Sequence, residues 1–114
     1  MIGHINDIPA RQLLSDSVKN AAMKVLVSPE TGWSDHVMRL VELGCEGYSP
    51  EHSHPWPHIN FVVAGEGELM IEGTIHPLMA GTYAFIPANT LHQFRNPKSA
   101  KLSFICIVPK EGHQ

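Results

Sequence analysis

Cysteine is scarce in this 114-residue chain. Cys45 and Cys106 are its two thiols, and they form neither a CxxC pair nor a disulfide framework. They are expected to be reduced thiols in a cytoplasmic protein. Clustered positive charge is also missing. Lys and Arg number 8 against 11 Asp and Glu, the net charge is −3, and no basic run supplies a patch for phosphates. Nucleic acid is therefore not an expected partner. No apolar run is long enough to cross a bilayer, so a membrane is not expected either. Residues 1–7 lack the basic region and apolar stretch of a signal peptide. Repeats, low-complexity tracts and linkers are absent. The chain is nevertheless 43% hydrophobic and 17% charged, which argues against disorder. Its length suits one domain with a real core.

Glycine and proline punctuate short runs rich in Val, Ile, Leu and Phe. Residues 22–27, 36–43, 59–64, 68–71, 83–86, 91–95 and 102–108 are predicted as strands, a spacing that points to an all-β sandwich or barrel. Residues 64–68 and 72–74 are predicted hairpin connections, and Gly81 is expected to adopt positive φ. Residues 10–20 fit either a short helix entered at Pro9 or a loop. Several strands are apolar on both faces. Between Leu102 and Val108, for example, the even-numbered positions share one face while Ile105 and Ile107 occupy the other. A small sandwich needs only one apolar face per strand, so the second face is expected to be covered by another subunit or by the N-terminal segment.

His52, His54 and His58 fall within seven residues, 52–58, and His92 follows beside a proline turn. Imidazole is the commonest protein metal ligand near neutral pH, so the pattern predicts two segments converging on one ion. On a strand, residues i and i+2 point to the same side. His52 and His54 are thus expected to project inward together. His58 has the same parity, although Pro55 and Pro57 break the strand and stiffen the approach to it. His4, His36, His76 and His113 are expected to be solvated or ordinarily hydrogen-bonded.

The segment Gly47-(x)4-His52-x-His54-(x)3-His58-(x)6-Gly65 resembles the first motif of the cupin superfamily. The segment Gly81-(x)5-Pro87-x-Asn89-(x)2-His92-(x)3-Asn96 resembles the second. The likeness is to small bacterial single-domain cupins, among them a manganese-binding thermophile member with four histidine ligands. It implies a single-domain, all-β double-stranded β-helix, the cupin or jelly-roll barrel. Residues 35–114 would form the barrel, and residues 1–34 an N-terminal strand and loop segment packing on the barrel or on a dimer partner. It also implies a homodimer and a divalent ion inside the barrel. Asn89 stands where the family motif has glycine, and Asn also tolerates the left-handed conformation. The family's third ligand is usually a glutamate, but positions 57–60 here are Pro, His, Ile and Asn. The resemblance therefore passes that role to His58, making the ligand set His52, His54, His58 and His92.

Four neutral imidazoles would leave the ion's charge undiminished, and on an octahedral ion two positions would stay open. Imidazole suits Zn, Cu, Fe and Ni, while manganese, the first choice, enters through the resemblance. Strand parity nominates Asn60, Phe94, Phe104 and Cys106 as pocket lining. Asn60 is a candidate hydrogen-bond partner, and core packing is favoured for the two aromatics. Cys106 is either a redox-sensitive or an inert thiol. Trp56 is expected at the barrel mouth. Arg39, interrupting an apolar strand, is a pocket residue for an anionic group or, as the favoured reading, half of a surface or dimer ion pair. No acid lies near the histidines, which favours chemistry run by the metal over carboxylate acid–base catalysis. The expectation is a metal-dependent, oxygenase-type enzyme acting on a small organic molecule. The alternatives are a non-catalytic metal or small-ligand binding or sensing module and, more weakly, a structural metal site.

Overall fold

The computed structural model describes residues 1–113 and shows nine strands joined by turns. They are β1 (Arg11–Gln12), β2 (Lys19–Val27), β3 (His36–Tyr48), β4 (His58–Ala64), β5 (Glu66–Ile71), β6 (Thr74–Met79), β7 (Tyr83–Ile86), β8 (His92–Arg95) and β9 (Leu102–Pro109). All pairings are antiparallel. The order runs β6-β5-β8-β3-β9-β4-β7, with β2 added to β3 and β1 to β2. This sheet curls into a single jelly-roll barrel. The helical elements among the described residues are 3₁₀ turns of three residues each, and no helix is long and apolar enough to cross a membrane.

Alternation builds the core. In β4, His58, Asn60 and Val62 are buried while Ile59, Phe61 and Val63 are exposed, the period-2 signature of a strand with one face inward. Val37, Val41, Leu43, Leu69, Ile86 and Leu102 fill the interior from other strands. The turn Glu72-Gly73 has φ 49° and 82° and joins Ile71 to Thr74 in register. Two successive positive φ values match the right-handed strand twist and make the tight β5–β6 hairpin. Gly81 has φ 94° and Asn89 has φ 60°, so the asparagine keeps the left-handed turn.

The structure departs from expectation at residues 64–68 and at β6, and it resolves residues 10–20 and the place of β9. Residues 64–68 turn sharply, with Gly65 at φ 87°, but they do not close a hairpin. β4 pairs β7 and β9, whereas β5 pairs β6 and β8, so this turn carries the chain between the two walls of the barrel. β6 was not anticipated from sequence. Pro77 cannot donate to a ladder, and it is accommodated because β6 is an edge strand. Of the two readings for residues 10–20 the loop holds, with the two-residue β1 and a turn, and Lys19 and Asn20 already belong to β2. Finally, β9 lies between β3 and β4, and its Phe104 stacks on Phe94 of β8 across the interior.

The second apolar face divides in two. Leu40 lies outside the core cluster yet is 1% exposed. It pairs with Lys24, whose ammonium donates to the Ile5 carbonyl at 2.8 Å, which places the N-terminal turn over this part of the sheet. On β4 and β7, Ile59, Phe61, Val63, Tyr83 and Phe85 remain exposed among the described residues.

Candidate metal centre

The segment carrying His52 and His54 is not a regular strand. A single bridge sets His52, whose N–H donates to the His92 carbonyl at 3.1 Å and whose carbonyl accepts from the His92 N–H at 3.0 Å. Asn89 N–H donates to the His54 carbonyl at 2.7 Å and anchors the next turn. Pro55 and Pro57 end any pairing until His58 opens β4. The two motif segments are therefore sewn together through backbone hydrogen bonds, and their imidazoles meet on the inner wall.

One ring nitrogen from each of His52, His54 and His92 lies within 4.8 Å of the others. His58 falls outside this mutual set of three but stands beside two of its members. His58 Nε2 stands 3.1 Å from His92 Nε2, and the His58 ring centroid is 5.2 Å from that of His54. Three of the four rings are oriented through Nδ1. His58 Nδ1–H donates to Asn60 Oδ1 at 2.7 Å, His92 Nδ1–H to the Thr90 carbonyl at 2.8 Å, and His54 Nδ1–H to the Trp56 carbonyl at 2.7 Å. Asn60 is itself oriented by its Nδ2–H donating to the Ile105 carbonyl at 3.4 Å. Such partners fix the tautomer and leave Nε2 with its lone pair free. The Nε2 lone pairs of His58 and His92 then face one another at 3.1 Å, which is repulsive unless a cation lies between them. Two nitrogens bonded at right angles to one ion at about 2.1 Å stand about 3 Å apart. The residues present therefore fit a divalent metal.

The same surroundings keep His52, His58 and His92 neutral. Burial lowers the His52 pKa from 6.5 to about 4, and His92, His54 and Arg39 act in the same direction. Burial lowers that of His58 to about 3; the charges of His92, His54 and Arg39 add to this and the Asn60 hydrogen bond opposes it. His92 is also lowered, by burial, with the Thr90 hydrogen bond opposing and His54 adding. Neutral imidazole is the form that ligates.

A cleft of about 770 Å³ opens over these rings. Phe94 and Phe104 stack at 4.2 Å across the interior and serve both as core and as cleft floor. Trp56 stacks on His54 at the mouth, with centroids 4.9 Å apart. Cys106 is 4% exposed, and its sulfur lies 3.9 Å from His58 Nδ1. Arg39 corrects the expectation of a surface ion pair within the chain. It lines the cleft, donates to the Cys106 sulfur at 3.3 Å, and takes part in neither ion pair found among the described residues. Inward parity on β3, beside Cys106 of β9, places it there.

Sequence reasoning missed the N-terminal contribution. Arg11, Gln12, Leu13, Leu14 and Val18 line the cleft, and the only hint was a few apolar residues in a polar stretch. It also missed the carbonyls of Thr90 and Trp56, which no side-chain pattern could reveal. Among the remaining histidines, His4 accepts from Asn6 N–H, His36 stacks on Trp33, and His76 is exposed. His113 departs from expectation, because its Nδ1 is buried without a partner among the described residues. Burial lowers its pKa, the Arg39 and Arg11 charges add to this, and Glu30 opposes.

These features define a jelly-roll barrel whose inner wall holds a group of histidines able to take a metal ion. The chain belongs to the cupin family: the Cupin domain profile matches residues 39–108, a span that contains all four central histidines. It is 30% identical, over 74 residues, to the 1-methylthio-D-xylulose 5-phosphate methylsulfurylase of Rhodospirillum rubrum. That stretch is 65% of this chain and 47% of the other, so the chain spans about half the length of this curated relative. Its fold is similar to that of the polyketide cyclase RemF from Streptomyces resistomycificus, with TM-score 0.90 and 23% identity over 96% of this chain and 79% of that one. It is likewise similar to a predicted oxalate decarboxylase from Thermotoga maritima, with TM-score 0.87 and 20% identity over 96% and 98%. At such identities the last two likenesses are of fold alone.

Proposed function

We propose that this cupin holds a divalent metal through His52, His54, His58 and His92 and uses it in an oxygenase-type reaction on a small organic molecule. The observation that carries the reading is the pair of Nε2 atoms facing each other at 3.1 Å while both Nδ1 atoms are committed to acceptors. When bound, an ion held by neutral imidazoles alone keeps its full charge and supplies strong Lewis acidity, together with redox capacity if it is Mn or Fe. Manganese is the first candidate, with Fe, Ni, Zn and Cu behind it. Asn60 and the Thr90 and Trp56 carbonyls hold the rings in the ligating tautomer. Phe94 and Phe104 present an apolar floor that excludes water from the inner end of the cleft. No Asp or Glu lines the cleft, which disfavours a carboxylate general base.

Oxygen uptake by the Mn- or Fe-loaded protein should show turnover on a panel of enols, phenols and diketones, and His52→Ala should abolish it. Turnover that survives His52→Ala would remove the metal from the reaction. The lack of acid–base groups also favours a second reading, a non-catalytic sensor or carrier. Tight binding of a ligand recovered chemically unchanged would support that instead. We also infer a cytoplasmic homodimer paired through the exposed outer face of β4 and β7, whose five large apolar side chains supply the contact surface.

A further inference from the structure

The wall of the cleft carries two arginines and the four central histidines, and not one carboxylate. Arg39 is the inner of the two cations. It sits in one row with Cys106 and Asn60, which face each other across β3, β9 and β4. Its guanidinium is thus one thiol's width from His58, with Nη2 3.3 Å from Cys106 Sγ and Sγ 3.9 Å from His58 Nδ1. That thiol is its only hydrogen-bond acceptor among the described residues, and its Nε is buried with none. A guanidinium is always charged, and burying it without an acceptor is costly. Arg11 extends the positive wall outward. It pairs with Met23, which pairs with Val41 on the row next to Arg39, and its own guanidinium reaches the Met23 sulfur at 3.9 Å.

We infer that Arg39 is an anchor for an oxyanion, a carboxylate or phosphate group carried by a small organic ligand. The rest of the ligand lies on Phe94, Phe104 and Val108 toward the histidines. The inference rests on the cleft being the ligand site of the proposed function. It narrows the substrate class to organic anions and makes Arg39 the residue that selects them. Planar guanidinium donors match both oxyanions, and an apolar floor beside a single cation suits a molecule charged at one end.

The test is calorimetric titration of benzoate, benzamide and phenyl phosphate, which share one apolar body and differ in head group. The full chain is used metal-free and Mn-loaded. Benzamide should bind at least tenfold more weakly than the better of the two anions. Arg39→Met should weaken that anion by roughly ten- to hundredfold in both metal states, the loss expected for a charge-assisted hydrogen bond. Benzamide affinity should not change, bound manganese should not fall, and Arg39→Lys should restore part of the loss. The anion that responds identifies the group as carboxylate or phosphate. Equal binding of benzoate and benzamide, no binding of either anion, or an Arg39→Met loss that falls equally on all three would overturn the inference. Failure to bind manganese would instead sink the four-histidine reading, while the metal-free titration would still decide the role of Arg39.

Discussion

Asn60→Leu isolates what orients His58. The side chain is 2% exposed, and its Oδ1 accepts the His58 Nδ1–H at 2.7 Å. Leucine has the same number and branching of heavy atoms, is bulkier, and has no acceptor. The substitution leaves a buried ring N–H unpaired, a cost of roughly 1–3 kcal/mol, and frees the ring to turn or change tautomer. The other bond lost, Nδ2–H to the Ile105 carbonyl at 3.4 Å, is long and contributes little. Loss of such a supporting partner lowers metal affinity by about 10- to 100-fold, or about 1.4–2.7 kcal/mol. Competition against a chelating metal indicator should show that drop for Mn and for Zn. In a His58→Ala background the same change should add almost nothing, because Asn60 acts through His58. Affinity within twofold of wild type, or an equal loss with and without His58, would refute the reasoning.

Metal-free protein should lose stability on acidification. His52 and His58 titrate at 6.5 when unfolded and at about 4 and about 3 when folded. The unfolded chain therefore takes up protons first, and stability that is full above pH 6.5 declines as pH falls toward 4; a melting temperature flat between pH 7 and 4.5 would contradict this. Phe61→Glu, at a side chain 47% exposed on the outer face of β4, should convert the proposed dimer to monomer in sedimentation equilibrium while leaving the circular dichroism unchanged, and an unaltered mass would rule that face out as the interface. Gly73→Val, at φ 82°, should destabilise the fold by roughly 1–2 kcal/mol in urea denaturation, the cost of a left-handed β-branched residue.

Much of the architecture was legible locally. Strands β4, β7 and β9 declare themselves through alternation or dense Val, Ile and Phe, because period 2 is imposed by the pleat itself. β6 did not, since Pro77 and four exposed neighbouring positions remove the usual signals from an edge strand. The turn at 64–68 looks like a hairpin because glycine reports local φ, not which strands its neighbours pair with. At the site, the four histidines stand out by number and spacing, whereas their orienting carbonyls from Thr90 and Trp56 are invisible, every residue having one. The sequence points Arg39 toward an ion pair because arginines usually find carboxylates, and only the structure reveals a wall that has none.

Composition and periodicity by themselves determined an all-β sandwich or barrel with a concentrated set of imidazoles, because these properties depend on residue type and short-range geometry, and the resemblance of the two histidine segments to cupin motifs implied which barrel it is. The tertiary structure decided which nitrogen each ring presents, that His58 and His92 face one another, and that Arg39 and Cys106 share the cleft. It also decided that the N-terminal turn covers Leu40 while the β4–β7 face stays open. Those outcomes depend on closure of the curled sheet, which joins residues dozens of positions apart through backbone hydrogen bonds.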